Sequence, residues 1–223
     1  MLFVDSCDPN AVQGIFDMGI AGGVTTNPIL LARRSAELGP AAIQEVLEHL
    51  LSVTAEFRPL SSVFVQLTEP SGSAMIEQAI GYRDSLGPRL GVKVPFSQTG
   101  LGVASRLRTF DFSVNITSVM TAAQAYVAAQ TGAQYVSLFM GRISDMNLDP
   151  TEIIRDARQL IMNEPALKTQ IIVGSIRQPR DVMSAIHAGA HIVTASPEIL
   201  KKLLWNPGTE AVNAEFQAAA KAT

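Results

Sequence analysis

Short runs of apolar, β-prone residues alternate with longer helical patterns along the whole chain. The predicted strands are Leu2–Asp5, Gly23–Thr26, Ser62–Leu67, Leu90–Val94, Phe112–Thr117, Gln134–Phe139, Gln170–Ser175 and His191–Thr194. Most are continuously apolar rather than alternating, as parallel strands covered on both faces must be. Between them the periodicity predicts helices, among them Ala41–Glu56, Ser73–Ser85, Ala122–Thr131 and Thr151–Met162. Pro40, Pro70, Pro150 and Pro179 stand near helix starts, where a missing N–H costs little. Eight strand–helix repeats in 223 residues predict a single α/β domain, a (β/α)8 barrel spanning residues 1–223. An open doubly wound sheet is the structural alternative, but no G-x-G-x-x-G follows the first strand. The Ala-rich tail, Thr209–Thr223, reads as a C-terminal helix that could pack on a neighbouring subunit.

Composition narrows the class. Apolar residues make up 47% and charged residues 17%, so the chain can bury a core and is not of a disordered type. The net charge of −3 and the lack of a basic, aromatic-interleaved stripe argue against a nucleic-acid partner. Cys7 is the only cysteine, so no disulfide can form within the chain, and a reducing cytoplasmic setting is expected. No signal peptide or membrane-spanning run is read from the sequence. His49, His187 and His191 are dispersed without metal-ligand spacing, so no metal is expected.

Chemistry in such a barrel gathers at the C-terminal ends of the strands. There stand Asp5; Thr25-Thr26-Asn27-Pro28; Gln66; Lys93; Asn115-Ile116-Thr117; Ser137, Phe139 and Arg142; and Ser175-Ile176-Arg177. Polar groups thus recur at one end of seven strands. Lys93 is the most informative, because the other four lysines all lie at Lys168 or beyond. An ammonium inside an apolar strand is costly to bury. Burial lowers its pKa and leaves a neutral amine able to attack a carbonyl. The alternative is a structural lysine paired with Asp5 or reaching out at the rim. Asp5 could orient a substrate hydroxyl and assist proton transfer, or simply cap a helix or bridge a cation. Thr26 and Asn27 could form the turn before Pro28, or the Asn27 amide could hold a sugar hydroxyl. Arg142, Ser175 and Arg177, at the ends of neighbouring strands, suit a phosphate monoester; otherwise the arginines are ordinary surface residues.

With those residues in view, the chain resembles the small class I transaldolases and the related fructose-6-phosphate aldolases. The likeness runs from Phe3-Val4-Asp5 to the last strand. It rests on Gly23-Val24-Thr25-Thr26-Asn27-Pro28, Val92-Lys93-Val94-Pro95, Val114-Asn115-Ile116-Thr117, Gly141-Arg142-Ile143 and Gly174-Ser175-Ile176-Arg177. The resemblance implies a cofactor-free mechanism. Lys93 forms an iminium with a ketose phosphate, the C3–C4 bond breaks, and the bound three-carbon enamine adds to an acceptor aldehyde. It further implies that Asp5, Asn27 and Thr117 position hydroxyls and a proton-shuttling water, that Gln66 orients water, and that Thr26, Ser137, Phe139, Arg142, Ser175 and Arg177 bind substrate. The implied partners are sugar phosphates and further copies of the chain in a ring or decamer. This sequence departs from the pattern at two places. Gln66 stands where transaldolases place a Glu, and Phe139 where the aldolase branch places a Tyr. A fructose-6-phosphate aldolase releasing free dihydroxyacetone, a lyase using Lys93 on another carbonyl compound, and a non-catalytic phosphate-binding barrel are the alternatives.

Overall fold

The structure is a computed structural model and describes residues 1–39, 42–57 and 62–221. Pro40, the first residue of the helix expected from Ala41, and the last two residues of the tail lie outside these. In chain order the elements are β1 (Leu2–Asp5), α1 (Pro9–Phe16), β2 (Ala21–Thr25), α2 (Pro28–Leu38), α3 (Ala42–Phe57), β3 (Ser62–Gln66), α4 (Gly72–Leu86), β4 (Leu90–Pro95) and α5 (Gln98–Arg108). They continue with β5 (Val114–Val119), α6 (Ala122–Gln130), β6 (Tyr135–Phe139), α7 (Met140–Asp145), α8 (Pro150–Met162), β7 (Gln170–Gly174), α9 (Pro179–His187), β8 (Ile192–Ala195), α10 (Pro197–Leu204) and α11 (Pro207–Lys221). The eight strands are parallel and pair in sequence order, and β8 closes on β1, giving the expected (β/α)8 barrel.

Local chemistry explains the element starts. Asp8, Asn27, Ser71, Ser97, Thr121, Asp149 and Ser196 each accept a backbone N–H at the head of the helix that follows. Proline occupies the first turn of α1, α2, α8, α9 and α10, where its ring pre-sets φ. The helices bury residues three and four apart, such as Ile154, Ala157 and Ile161 of α8, against the outer faces of the strands.

Side chains alternate across each strand, so every second one points into the barrel. Inside, Phe3, Phe64, Ile172 and Ile192 form a buried cluster of their own, with Tyr135 packed on it. Phe64 and Tyr135 meet edge to face at 5.3 Å. Room for the rings comes from glycine on the neighbouring strand. A Cβ on Gly23 would stand 2.6 Å from Phe3, and one on Gly91 2.4 Å from Phe64. The barrel floor is therefore a packed plug.

Two strands differ from expectation by two residues at an end, the others by one at most. β5 begins at Val114 rather than Phe112, because Asp111 turns the chain at φ 57° and Phe112 reaches the core from that turn. A buried loop aromatic looks the same as a strand residue in an apolar run. β5 also runs past Thr117, where a register shift accompanies Ser118 at φ 64°. β2 starts two residues early, at Ala21, and ends at Thr25. Thr26 leaves the strand but stays tied to β3, its N–H and Oγ both donating to the Phe64 carbonyl. Arg142 lies on α7 rather than on a strand end. Cys7 is a buried free thiol. No helix among the described residues is long and apolar enough to cross a membrane.

Candidate active site

One step above the aromatic plug, the same interior positions become polar. Asp5, Thr25, Gln66, Lys93, Asn115, Ser137 and Thr194 replace the rings, and Gly174 leaves space among them. All of these but Thr25 and Asn115 line a cavity of about 430 Å³ at the C-terminal end of the barrel. Asp5, Asn27, Gln66, Lys93, Ser137 and Thr194 line its depth, and Ile29, Ser118, Phe139, Arg142 and Ser175 line its mouth. Among the expected residues, the fold thus brings Asp5, Asn27, Gln66, Lys93, Ser137, Phe139, Arg142 and Ser175 to one space. Thr26, Thr117 and Arg177 stand outside the lining.

Lys93 is 5% exposed. Its Nζ donates to the Thr26 carbonyl at 3.0 Å and forms no salt bridge with Asp5. Burial pushes the ammonium below the ordinary lysine range, and the Asp5 charge works against that shift. Asp5 moves the opposite way. Burial raises its carboxyl, while Lys93 and a hydrogen bond from Thr25 pull it back. Thr25 Oγ1 donates to Asp5 Oδ1 at 2.8 Å and lies 2.7 Å from Thr194 Oγ1. Its single proton is used on Asp5, so Thr194 must donate to Thr25. The result is a hydrogen-bonded chain holding one carboxylate beside one desolvated amine.

Thr26 lies outside the cavity lining. Its hydroxyl is spent on the Phe64 carbonyl, and what it presents to Lys93 is its own backbone carbonyl. Asn27 Oδ1 caps α2 by accepting from Leu30 N at 3.0 Å, and the residue also lines the cavity. Asn115 is among the polar residues that the sequence reading places at strand ends, but it is assigned no role there. It pairs with Lys93 in register, is fully buried, and accepts from Ser137 Oγ at 2.9 Å. Its Nδ2 and the Thr117 Oγ1 two residues on are buried without a hydrogen-bond partner. Orphaned polar atoms in a native interior call for a water or a ligand. The signal was available: a parallel pairing that turns Lys93 inward turns its neighbour Asn115 inward too.

The mouth is shaped by the β6 and β7 ends. Ser175 adopts φ 58°, and its carbonyl accepts from Gly141 N at 3.0 Å. A Cβ on Gly141 would stand 2.6 Å from both Ser175 O and Arg177 Nε, so glycine lets α7 meet the chain that follows β7. Arg142 lines the cavity, and its guanidinium makes no hydrogen bond or salt bridge among the described residues, although its charge helps to lower the Asp145 carboxyl. Arg177 is committed elsewhere. Its two terminal nitrogens grip the Asp145 carboxylate at 2.6 Å each. Among the described residues, no group of three or more His, Cys, Asp or Glu could hold a metal ion. A second recess of about 490 Å³ lies beyond Pro28 and Gln66, largely apolar, between α2 and α4.

Comparison with known proteins bears on this geometry. The family model described as Transaldolase/Fructose-6-phosphate aldolase matches residues 2–223. Similar curated proteins include a probable transaldolase of Parvibaculum lavamentivorans, 36% identical over 93% of this chain and 90% of that one. Probable transaldolases of Nitrosopumilus maritimus (32% identical, 94% and 89% covered) and Moorella thermoacetica (33%, 97% and 95%) are also similar. Among solved structures, a thiamine phosphate pyrophosphorylase from Pyrococcus furiosus superposes with a TM-score of 0.60 at 14% identity, covering 87% of this chain and 84% of that one. That last likeness concerns the barrel alone.

Proposed function

The chain belongs to the transaldolase/fructose-6-phosphate aldolase family, and from that premise we propose that it is a class I transaldolase, moving a dihydroxyacetone unit between sugar phosphates through a Schiff base on Lys93. The observation that carries this reading is the desolvated Lys93 amine, lining a cavity that has the Asp5 carboxylate in its depth and the unpaired Arg142 at its mouth.

In the proposed sequence Lys93 Nζ attacks the C2 carbonyl of fructose 6-phosphate, and loss of water gives the iminium. Asp5 takes the C4 hydroxyl proton as the C3–C4 bond breaks, its electrons flowing to the iminium nitrogen. Glyceraldehyde 3-phosphate leaves, and the enamine adds to erythrose 4-phosphate. Hydrolysis then frees sedoheptulose 7-phosphate and the amine. Asp5 is the acid/base here, because Gln66 is a neutral amide and Lys93 carries the substrate. Asn115, Ser137 and Asn27 hold hydroxyls, with the free Nδ2 of Asn115 as one donor. Thr117 Oγ1 holds the water, and Arg142 and Ser175 hold the phosphate. Phe139 at the mouth can neither donate a proton nor admit much water, which favours transfer over protonation of the enamine.

The reading is tested by incubating the enzyme with fructose 6-phosphate, with and without erythrose 4-phosphate, and quantifying both products. Sedoheptulose 7-phosphate with acceptor and little dihydroxyacetone without it is the expected result. Dihydroxyacetone released as fast without acceptor as heptulose forms with it makes the chain an aldolase instead.

The active unit in this reading is a homo-oligomer, a ring or decamer. Support comes from α11, fifteen residues long with none buried, and from Trp205 and Phe216, 67% and 69% exposed. Light scattering on the full chain checks it.

A further inference from the structure

The Asp145–Arg177 pair occupies the rim where phosphate is read. Arg142 and Asp145 stand one turn apart on α7, and Arg177 follows β7. Arg177 passes over Gly141 and closes a two-pronged grip on Asp145, at 2.6 Å through each terminal nitrogen. Its backbone is pinned as well, since the N–H groups of Arg177 and Gln178 both donate to Asp181. The grip is half exposed, with 52% of the Arg177 side chain and 45% of the Asp145 side chain open to solvent. It is therefore a bond that a stronger anion can open. Of the two rim arginines, Arg177 is gripped by the carboxylate, while Arg142 makes no hydrogen bond or salt bridge among the described residues and only its charge is felt by Asp145.

We propose that Asp145 determines how strongly this site selects phosphorylated substrates: it holds Arg177 in reserve, so that a phosphate meets Arg142 and Ser175 directly and gains Arg177 only by displacing a carboxylate. This rests on the assignment of the rim as the phosphate end. Two arginines and one carboxylate leave a single net positive charge facing a phosphate dianion. Removing Asp145 relieves a repulsion and frees a planar donor fork that matches phosphate oxygens. If Asp145 instead aimed Arg177 at the phosphate, its loss would weaken binding. The two arrangements thus differ in sign.

The test is calorimetric titration of the full chain with inorganic phosphate, using wild type, Asp145→Asn, Arg177→Met and the double variant, at low and raised salt. Asp145→Asn should tighten phosphate roughly three- to tenfold. The gain should shrink as salt screens it and fall below about twofold in the Arg177→Met background. The kcat/KM ratio of fructose 6-phosphate over fructose should rise through KM. Asp145→Ala, with circular dichroism as a check on folding, repeats the measurement if the Asn side chain keeps one hydrogen bond to Arg177. Unchanged or weaker phosphate binding, a gain that survives without Arg177, or no phosphate binding by wild type overturns the proposal. A chain that binds phosphate as expected but traps no imine leaves Asp145 in this role and removes the transaldolase reading.

Discussion

Along the same strands, the barrel floor and the layer one inward-facing residue above it carry opposite chemistry. Phe3 gives way to Asp5, Phe64 to Gln66, Gly91 to Lys93, Tyr135 to Ser137 and Ile192 to Thr194. The floor satisfies its neighbours completely. Rings fill the space that glycines leave, and the cluster contains no charge. The upper layer is left incomplete, with a desolvated amine, a carboxylate raised by burial, and two buried polar atoms lacking partners. The floor stabilises the barrel, and that stability carries an upper layer whose groups would lower their energy by meeting a ligand.

This contrast can be broken most sharply at Lys93. Lys93→Met should abolish turnover and the mass gain on borohydride reduction with fructose 6-phosphate, while the variant stays folded. Trapping on another lysine would move the chemistry out of the upper layer. Phe64→Ala should do the reverse. It should cost about 3–5 kcal/mol of stability through the cavity it leaves, read as a lower midpoint in urea. A smaller loss would mean that the floor is not a close-packed plug.

Arg142→Met should lower kcat/KM for phosphorylated substrates roughly 10- to 150-fold, the worth of one charge-assisted contact. Equal losses on free dihydroxyacetone would make Arg142 structural. Gln66→Glu should raise transfer roughly three- to tenfold by adding a second acid/base beside Lys93. A drop would show that the neutral amide suits this layer. Asp5→Asn bears on the electrostatic pairing within it. Imine formation needs the neutral amine, so its rate falls as pH drops through the Lys93 pKa. The Asp5 charge holds that pKa up, so its removal should shift the limb to lower pH. The rate of cyanoborohydride trapping with dihydroxyacetone against pH reports the shift, and a shift upward breaks the assignment.

Much of this was legible in the chain. Eight apolar runs separated by capped helical stretches leave a parallel barrel as the economical topology, and a lone lysine inside one run marks where burial and charge conflict. Strand ends were less legible. Phe112 is apolar because it is buried, and burial from a turn leaves the same trace in sequence as burial from a strand. Asn115 is visible among the polar residues, but its role is not, because a neutral amide in an apolar run signals little until pairing places it beside Lys93.

The sequence by itself determined what local rules govern: the alternation of elements, the proline and side-chain caps at helix starts, and which residue types could do chemistry. Only the tertiary structure decided how those residues are used. It spends the Thr26 hydroxyl on a carbonyl, gives Asn27 a cap as well as a place in the cavity, and leaves Arg142 without a hydrogen bond among the described residues while Arg177 closes on Asp145, 32 residues away. The physical reason is that a side chain's role follows from which partner its geometry lets it reach, and the partners here come from strands and loops that only barrel closure brings together.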